Sequence, residues 1–327
     1  MQFGLIVPSS VAPGERPDVA MGETAELVRL AREAGFRSLW AGQGWLVNQW
    51  HPTLLLARMA AEAPGLTMGA LLLLSMHHPV ELAEQASTLD ALCGGKLTLG
   101  LSLGWRPFQF QAFGVPKGER LSRFLEALEV LKLLWTRRRV TFLGTHFHLE
   151  DVPGALPPVQ QPHPPLLIGA NNDPGVKRAA HLADGWLVST RSIFSTVKRH
   201  AQLYWAALKE QGRQGQIVAW REAYCAPDHS TARDTIRPYV EGLYRDRAAL
   251  GHSQELPTAD RIDVPFEEVL AGRFILGSPQ ECIEEVHRYQ ELGIQELVLR
   301  MHWPGMPRRE SLRSLELLGS RVLPAFR

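Results

Sequence analysis

Eight short apolar runs, each followed by helical sequence, span the chain, at residues 2–7, 37–41, 66–74, 96–103, 166–169, 186–188, 216–225 and 294–300. Strands apolar on both faces are covered on both sides, and parallel strands need long, usually helical, crossovers. Eight such units within 327 residues fit one closed (β/α)8 barrel, a TIM barrel. That fold takes about 250 residues before insertions. No linker or internal repeat divides the sequence, so 1–327 reads as a single α/β domain. The helices are expected at 21–34, from Pro52 onward, and at 79–92, 120–135, 175–183, 194–211, 226–250, 279–290 and 309–318. Pro79 suits a first turn and Ser278 an N-cap. Three insertions are expected on the rim, at about 104–118, 139–165 and 249–276. The middle one should open as a hairpin over 140–149, and the Pro-rich stretch 152–165 should be irregular, because Pro donates nothing to a ladder.

Charge excludes some functions. Lys and Arg number 35 against 34 Asp and Glu, a balance without the basic footprint of a nucleic-acid or anionic-membrane partner. Arg137-Arg138-Arg139 sits at a helix end, where the helix dipole favours cations. Cys93, Cys225 and Cys282 are few, distant and in no metal-ligand spacing, which fits a reducing cytoplasm. The N-terminal run reads as a first strand and not a signal peptide, and 68–74 is too short to span a bilayer, so a soluble chain is expected.

In such barrels the chemistry sits where strands end. After the second strand come Gln43, Trp45, Asn48, Trp50 and His51; the indoles could wall a flat apolar pocket or pack beneath a neighbouring loop. After the third come Met76, His77 and His78; an imidazole there can move protons near neutral pH, or His78 can cap the next helix. After the fourth, Gly104 permits close approach of a ligand, and Trp105 and Arg106 follow. The run Ile168-Gly169-Ala170-Asn171-Asn172-Asp173-Pro174-Gly175 opens into a helix, whose N–H groups and dipole can hold a phosphate; turn chemistry explains the same residues equally well. After the eighth strand stand His302 and Trp303. His146-x-His148 lacks a carboxylate at ligand spacing, so no metal site is expected, and no nucleophile motif occurs.

Taken in order, these segments resemble the bacterial luciferase-like, flavin-dependent oxidoreductases. The match includes Gly35-Phe36-Arg37-Ser38-Leu39-Trp40, His78-Pro79-Val80, and Gly94-Gly95-Lys96-Leu97-Thr98-Leu99-Gly100. It continues through Phe113-Gly114-Val115, Pro164-Pro165-Leu166-Leu167-Ile168-Gly169-Ala170-Asn171, Ala183-Asp184-Gly185-Trp186 and Gly277-Ser278-Pro279. The resemblance implies a flavin at the C-terminal rim, either reduced FMN reacting with oxygen or the deazaflavin F420 moving a hydride. By position, the phosphate falls on the amides of Asn171, Asn172, Asp173, Gly175 and Val176, helped by Lys177. The ring falls near Ala70, Leu71, Ser102 and Gly104, with a non-prolyl cis peptide implied at Ala70–Leu71, and Gly169 is also expected at the cofactor.

The family His after strand two falls at or beside Gly44, and a family Arg after strand four falls on Leu103. Gln43 and His77 are therefore the expected catalytic pair, Gln43 as a hydrogen-bonding group and His77 as the replacement imidazole. Trp45, Trp50, His51, Trp105, Arg106, His302 and Trp303 are expected around the substrate. The favoured expectation is an FMNH2-dependent monooxygenase acting on a small organic molecule through a flavin C4a-peroxide, with a separate reductase as partner. The alternatives are an F420-dependent oxidoreductase, to whose cofactor tail Lys177, Arg178 and Arg191 could offer charge, and a non-catalytic flavin-binding protein. A homodimer is the expected assembly.

Overall fold

The computed structural model describes residues 1–11 and 14–326; positions 12, 13 and 327 lie outside the described residues. Its strands are β1 (Gln2–Ile6), β2 (Ser38–Gly42), β3 (Thr67–Leu73), β4 (Leu97–Ser102), β5 (Arg139–Leu143), β6 (His148–Pro153), β7 (Leu166–Gly169), β8 (Gly185–Val188), β9 (Gln216–Cys225), β10 (Phe274–Gly277) and β11 (Glu296–Arg300). Eight of them close a parallel barrel in the order β1, β2, β3, β4, β7, β8, β9, β11 and back to β1. The expected TIM barrel is present, with extra strands and helices outside the closed sheet.

Strand alternation sorts the side chains. Leu5, Leu39, Ala70 and Leu297 face the surrounding helices and join the large outer core. Their neighbours Ile6, Trp40, Leu71 and Val298 point inward and meet Leu167, Leu187, Val218 and Trp220 in a compact inner cluster. Trp40 and Trp220 meet edge to face with centroids 6.0 Å apart. Trp40 Nε1 donates to Glu296 Oε1 at 3.1 Å, and the Ser38 hydroxyl donates to the same oxygen. Burial pushes that carboxyl above its usual range, with the two donors pulling the other way.

Gly69 makes room for the plug: a Cβ there would lie 2.0 Å from Trp40 Cδ2, inside the indole.

Several expectations need correction. The Ala70–Leu71 peptide is trans, and the cis bond among the described residues is Gln161–Pro162. The reason is the ladder: Ala70 and Leu71 are paired in register with Ala41 and Gly42 on one side and with Leu99 and Gly100 on the other. The hairpin reaches further than expected, because Val152 and Pro153 pair with Val140 and Arg139, so irregular chain begins only after β6. Pro153 is tolerated in a two-stranded ribbon, where one side of each strand is an edge. The first helix starts at Pro17, not at residue 21.

The insertion at 249–276 ends in β10, which pairs with Glu222–Cys225, beyond the reach of β8 along β9. A second core forms there, with Tyr244, Phe274 and Trp303 at its centre. The insertion after β4 holds the short helix Pro107–Ala112. Ser278 caps the helix Pro279–Gln290 in a full capping box with Glu281, as expected.

Gly69→Ala is expected to lower the unfolding free energy by about 1–3 kcal/mol through overpacking against Trp40. Urea denaturation checks this; an unchanged midpoint would show that the indole is not locked in place.

Candidate functional site at the barrel mouth

Above the Trp220 ring lies a cavity of about 560 Å³, a size in the range of cofactor sites. Its floor is Ile6, Leu71, Leu187 and Trp220, and its walls are the loops following the strands. Leu71, Ser102, Gly104, Trp105, Arg106, Gly169, Asn171, Asn172, Gly175 and His302 all line it, as expected from the sequence. Gly104 adopts φ +74°, and a Cβ on it would sit 2.8 Å from Met76 Cε. A residue with a side chain would be strained and crowded there.

The loop after β7 has the chemistry of a phosphate cradle, in altered form. Asn172 caps the helix Asp173–Leu182 by accepting from Gly175 N–H at 2.9 Å, and its carbonyl accepts from Val176 N–H. Pro174 has no N–H, so the main-chain donors left for a ligand are those of Asn171, Asn172 and Asp173. Gly175 is required by closeness, since a Cβ would lie 2.8 Å from that of Ala170.

The Asp173 carboxylate binds Arg199 at 2.8 Å and His200 at 3.0 Å, away from the mouth. Hydrogen bonding from Arg199 holds it down to about 2. Lys177 is exposed and does not line the cavity; Arg178, half-buried, does. Arg178 is one residue further along the helix, and that step turns it toward the ligand space.

Other expected positions fall elsewhere. Ala70 belongs to the outer core, because its Cβ points to the helices. Val176 is wholly buried in the same core. Trp303 is fully buried in the second core, its Nε1 donating to Glu222 at 3.0 Å, and so is no pocket wall. Trp45, Trp50 and His51 line an adjoining cavity of about 470 Å³ that shares Gln43 and Gln49 with the mouth. There Trp45 packs on Phe113 at 4.3 Å, and its carbonyl accepts from Gln109 Nε2 at 2.6 Å. Packing under a neighbouring loop therefore describes this indole.

The dominant electrostatic feature goes beyond the Arg106, Arg178 and Arg191 named from the sequence. Six arginines line the mouth, namely 106, 120, 178, 191, 247 and 300, against one carboxylate, Glu255. Glu255 is itself taken by Lys117 and Arg120. Arg247 was hidden because the helix His229–Ala249 is charged throughout and reads as a solvated face. The adjacent Arg221 and Glu222, two charges inside an apolar strand, were a further signal. Both are fully buried.

A floor of inward apolar side chains, an open mouth and a loop of free amides at the start of a helix is a combination suited to a phosphorylated planar ligand. Against that geometry the comparisons are decisive: a family model described as luciferase-like monooxygenase matches residues 1–296. The chain belongs to that family.

It is 27 % identical to a 4-hydroxyprotoasukamycin monooxygenase of Streptomyces nodosus subsp. asukaensis, over 100 % of this chain and 92 % of that protein. It is equally 27 % identical to an F420-dependent glucose-6-phosphate dehydrogenase of Microbacterium testaceum, over 91 % of each. The fold is shared with the oxygenating component of 3,6-diketocamphane monooxygenase from Pseudomonas putida, solved in complex with FMN, at TM-score 0.80 and 19 % identity over 99 % of this chain and 98 % of that one. The luciferase-like enzymes thus include flavin- and F420-dependent oxidoreductases, and this chain is one of that broader class.

In this luciferase-like chain the position of the implied family His is Gly44, and a side chain there would have to displace those of Gln49 and Val47. A Cβ on Gly44 would lie 2.2 Å from Gln49 Oε1 and 2.7 Å from Val47 Cγ2. In place of a single imidazole there is a relay. Gln43 Oε1 accepts from Leu73 N–H at 2.9 Å and lies 2.8 Å from His77 Nε2, so His77 carries its proton on Nε2. The Gln43 amide then donates to His51 Nε2 at 3.3 Å, leaving His51 Nδ1 to donate to Thr53 Oγ1 at 2.9 Å.

Gln43 reaches the mouth, whereas His77 is buried behind it and touches neither cavity. Burial, with nearby His51 adding to it, draws His77 down to about 4. Burial likewise draws His302 down to about 4. No group of His, Cys, Asp and Glu suited to a metal ion occurs among the described residues. Nor is any described helix long and apolar enough to cross a membrane.

Because the unfolded chain binds the His77 proton more tightly, the stability held by its neutral form is present above about pH 6.5 and lost as pH falls toward 4. By pH 4 the loss from this one group reaches about 3 kcal/mol. His77→Gln should make the fall in unfolding free energy between pH 6.5 and 4 shallower than in the wild type. Equal slopes would contradict the buried, neutral imidazole.

Proposed function

We propose that this luciferase-like protein is an FMNH2-dependent monooxygenase that oxygenates a small organic substrate, its reduced flavin supplied by a separate reductase. The observation that carries the reading is that both imidazoles lining the mouth, His252 and His302, are drawn below their ordinary range chiefly by burial. His302 is held near 4, and His252 lies far below its ordinary value, through burial and the charges of Arg191, Arg247 and Arg106. Hydride transfer from an alcohol to F420 needs a base for the hydroxyl proton, and a good base has a pKa close to the working pH. An imidazole near 4 falls well short of that.

Bound reduced FMN supplies the reaction with oxygen. The chain supplies placement and dryness. The amides of Asn171, Asn172 and Asp173 and the Arg178 guanidinium fit the phosphate, and Leu71, Leu187 and Trp220 offer an apolar bed for the ring. Gln43, fixed by Leu73 N–H and His77, presents a neutral polar edge that holds hydrogen bonds without delivering a proton. Exclusion of bulk water by the loops protects a reactive cofactor. A two-fold dimer belongs to the same proposal.

The name of the Microbacterium relative makes F420 the competing cofactor. Anaerobic titration with FMNH2 and with reduced F420, followed by admission of oxygen, separates the two. FMNH2 is expected to bind and the loaded protein to consume oxygen; binding of F420 alone would overturn the reading, and flavin binding without turnover across a broad substrate panel would make the protein a carrier. Arg178→Gln should weaken FMN about tenfold or more while leaving riboflavin, which lacks the phosphate, unchanged.

A further inference from the structure

The phosphate cradle uses one of the six mouth arginines, Arg178, and burial alone lowers its pKa, with no neighbouring charge contributing. A second group stands apart from it in the fold. Arg191 follows β8, Arg300 ends β11, Arg247 comes from the helix after β9, and Arg106 follows β4. One buried carboxylate stands near them and pairs with Arg300. Glu222, fully buried, accepts from Arg300 Nη1 at 2.9 Å, Trp303 Nε1 at 3.0 Å and Tyr244 Oη at 3.3 Å.

Arg191 reaches only hydroxyls, Ser189 at 3.0 Å and Thr190 at 3.3 Å, through one nitrogen. The Nε atoms of Arg106 and Arg191 and Nη1 of Arg247 are buried without any hydrogen-bond partner. Leaving such donors unmade is costly, so the protein's own groups do not satisfy these three guanidinium groups, which line the mouth.

We infer that Arg191, Arg247, Arg300 and Arg106 form a second anion site, which holds the carboxylate or phosphate-ester group of the substrate beside the flavin. The inference rests on the flavin-enzyme reading and adds the substrate class to it. Three further observations fit. Burial and mutual repulsion draw Arg247 down to about 9 and Arg191 to about 10. Both stay charged at neutral pH, and an oxyanion between them relieves the repulsion. Guanidinium forks suit planar carboxylates and phosphates alike. Finally, Trp105 stacks on His252 at 3.8 Å and 11°, with Arg106 Cζ 4.6 Å above the indole. That stack fixes the Arg106 guanidinium against the rim aromatics at the mouth.

The test titrates FMN-loaded protein with benzoate, phenyl phosphate and neutral benzamide. Benzoate or phenyl phosphate should bind and benzamide should not, and the tighter of the two oxyanions identifies the group recognised. Arg247→Gln and Arg191→Gln should each weaken that oxyanion about tenfold or more. Exposed Arg245→Gln should leave it unchanged, and FMN affinity should stay within about twofold in all three. Equal binding of benzamide, no binding of either oxyanion, or loss of FMN affinity with the oxyanion unaffected would overturn the inference. A protein that takes up no FMN yet binds benzoate through Arg247 would keep the anion site and defeat the flavin reading instead. Circular dichroism of each variant separates lost binding from lost fold.

Discussion

The edge-to-face contact of Trp40 with Trp220 sets the depth of everything above it. Two indoles fill the barrel where aliphatic side chains alone would leave it tall and narrow, and the upper one becomes the floor of the mouth. Trp40 is anchored from below by the buried Glu296, which also accepts from Ser38. It is admitted from the side by the missing Cβ of Gly69. A shallower plug would deepen the mouth and remove the apolar bed; a taller one would fill the space a planar ring needs.

On that floor the protein builds a strongly positive chamber, lined by six arginines and one carboxylate. Cations rarely line an apolar cavity unless something anionic repays their desolvation. Here the internal compensation is small: Glu222 serves one side and Glu255 the other, and each already has partners. The second core holds this arrangement rigid. Trp303, Tyr244 and Phe274 pack around Glu222, and Arg273 ties the insertion to the rim through the carbonyls of Arg191 and Arg261. The insertion thus positions the cations, which explains why a polar stretch after β9 carries its own buried cluster.

The barrel was legible because each of its strands is an apolar run with a helix behind it, a local pattern that survives folding. Cap chemistry was legible for the same reason, at Ser278 and at His78, whose ring accepts from Val80 N–H at 3.4 Å. Less was legible wherever direction mattered. Lys177 and Arg178 are equivalent in sequence, but one residue is about 100° of helix, and only Arg178 faces the ligand space. Ala70 and Leu71 differ by one pleat, which sends Ala70 to the helices. Trp303 looked like a rim aromatic because nothing in its neighbourhood announces the buried carboxylate of Glu222 that holds it. Arg106 and Arg191 were named from the sequence, but their meeting with Arg247 and Arg300 was out of reach, because the four come from separate elements that converge only in the closed barrel.

A crystal structure of the protein soaked with FMN shows whether a phosphorylated flavin lies in the mouth with its phosphate on the loop after β7. The phosphate is expected within hydrogen-bonding distance of the amides of Asn171, Asn172 and Asp173 and of the Arg178 guanidinium, with the ring over Trp220. Phosphate density seated between Arg191 and Arg247, with the β7 loop empty, would contradict it.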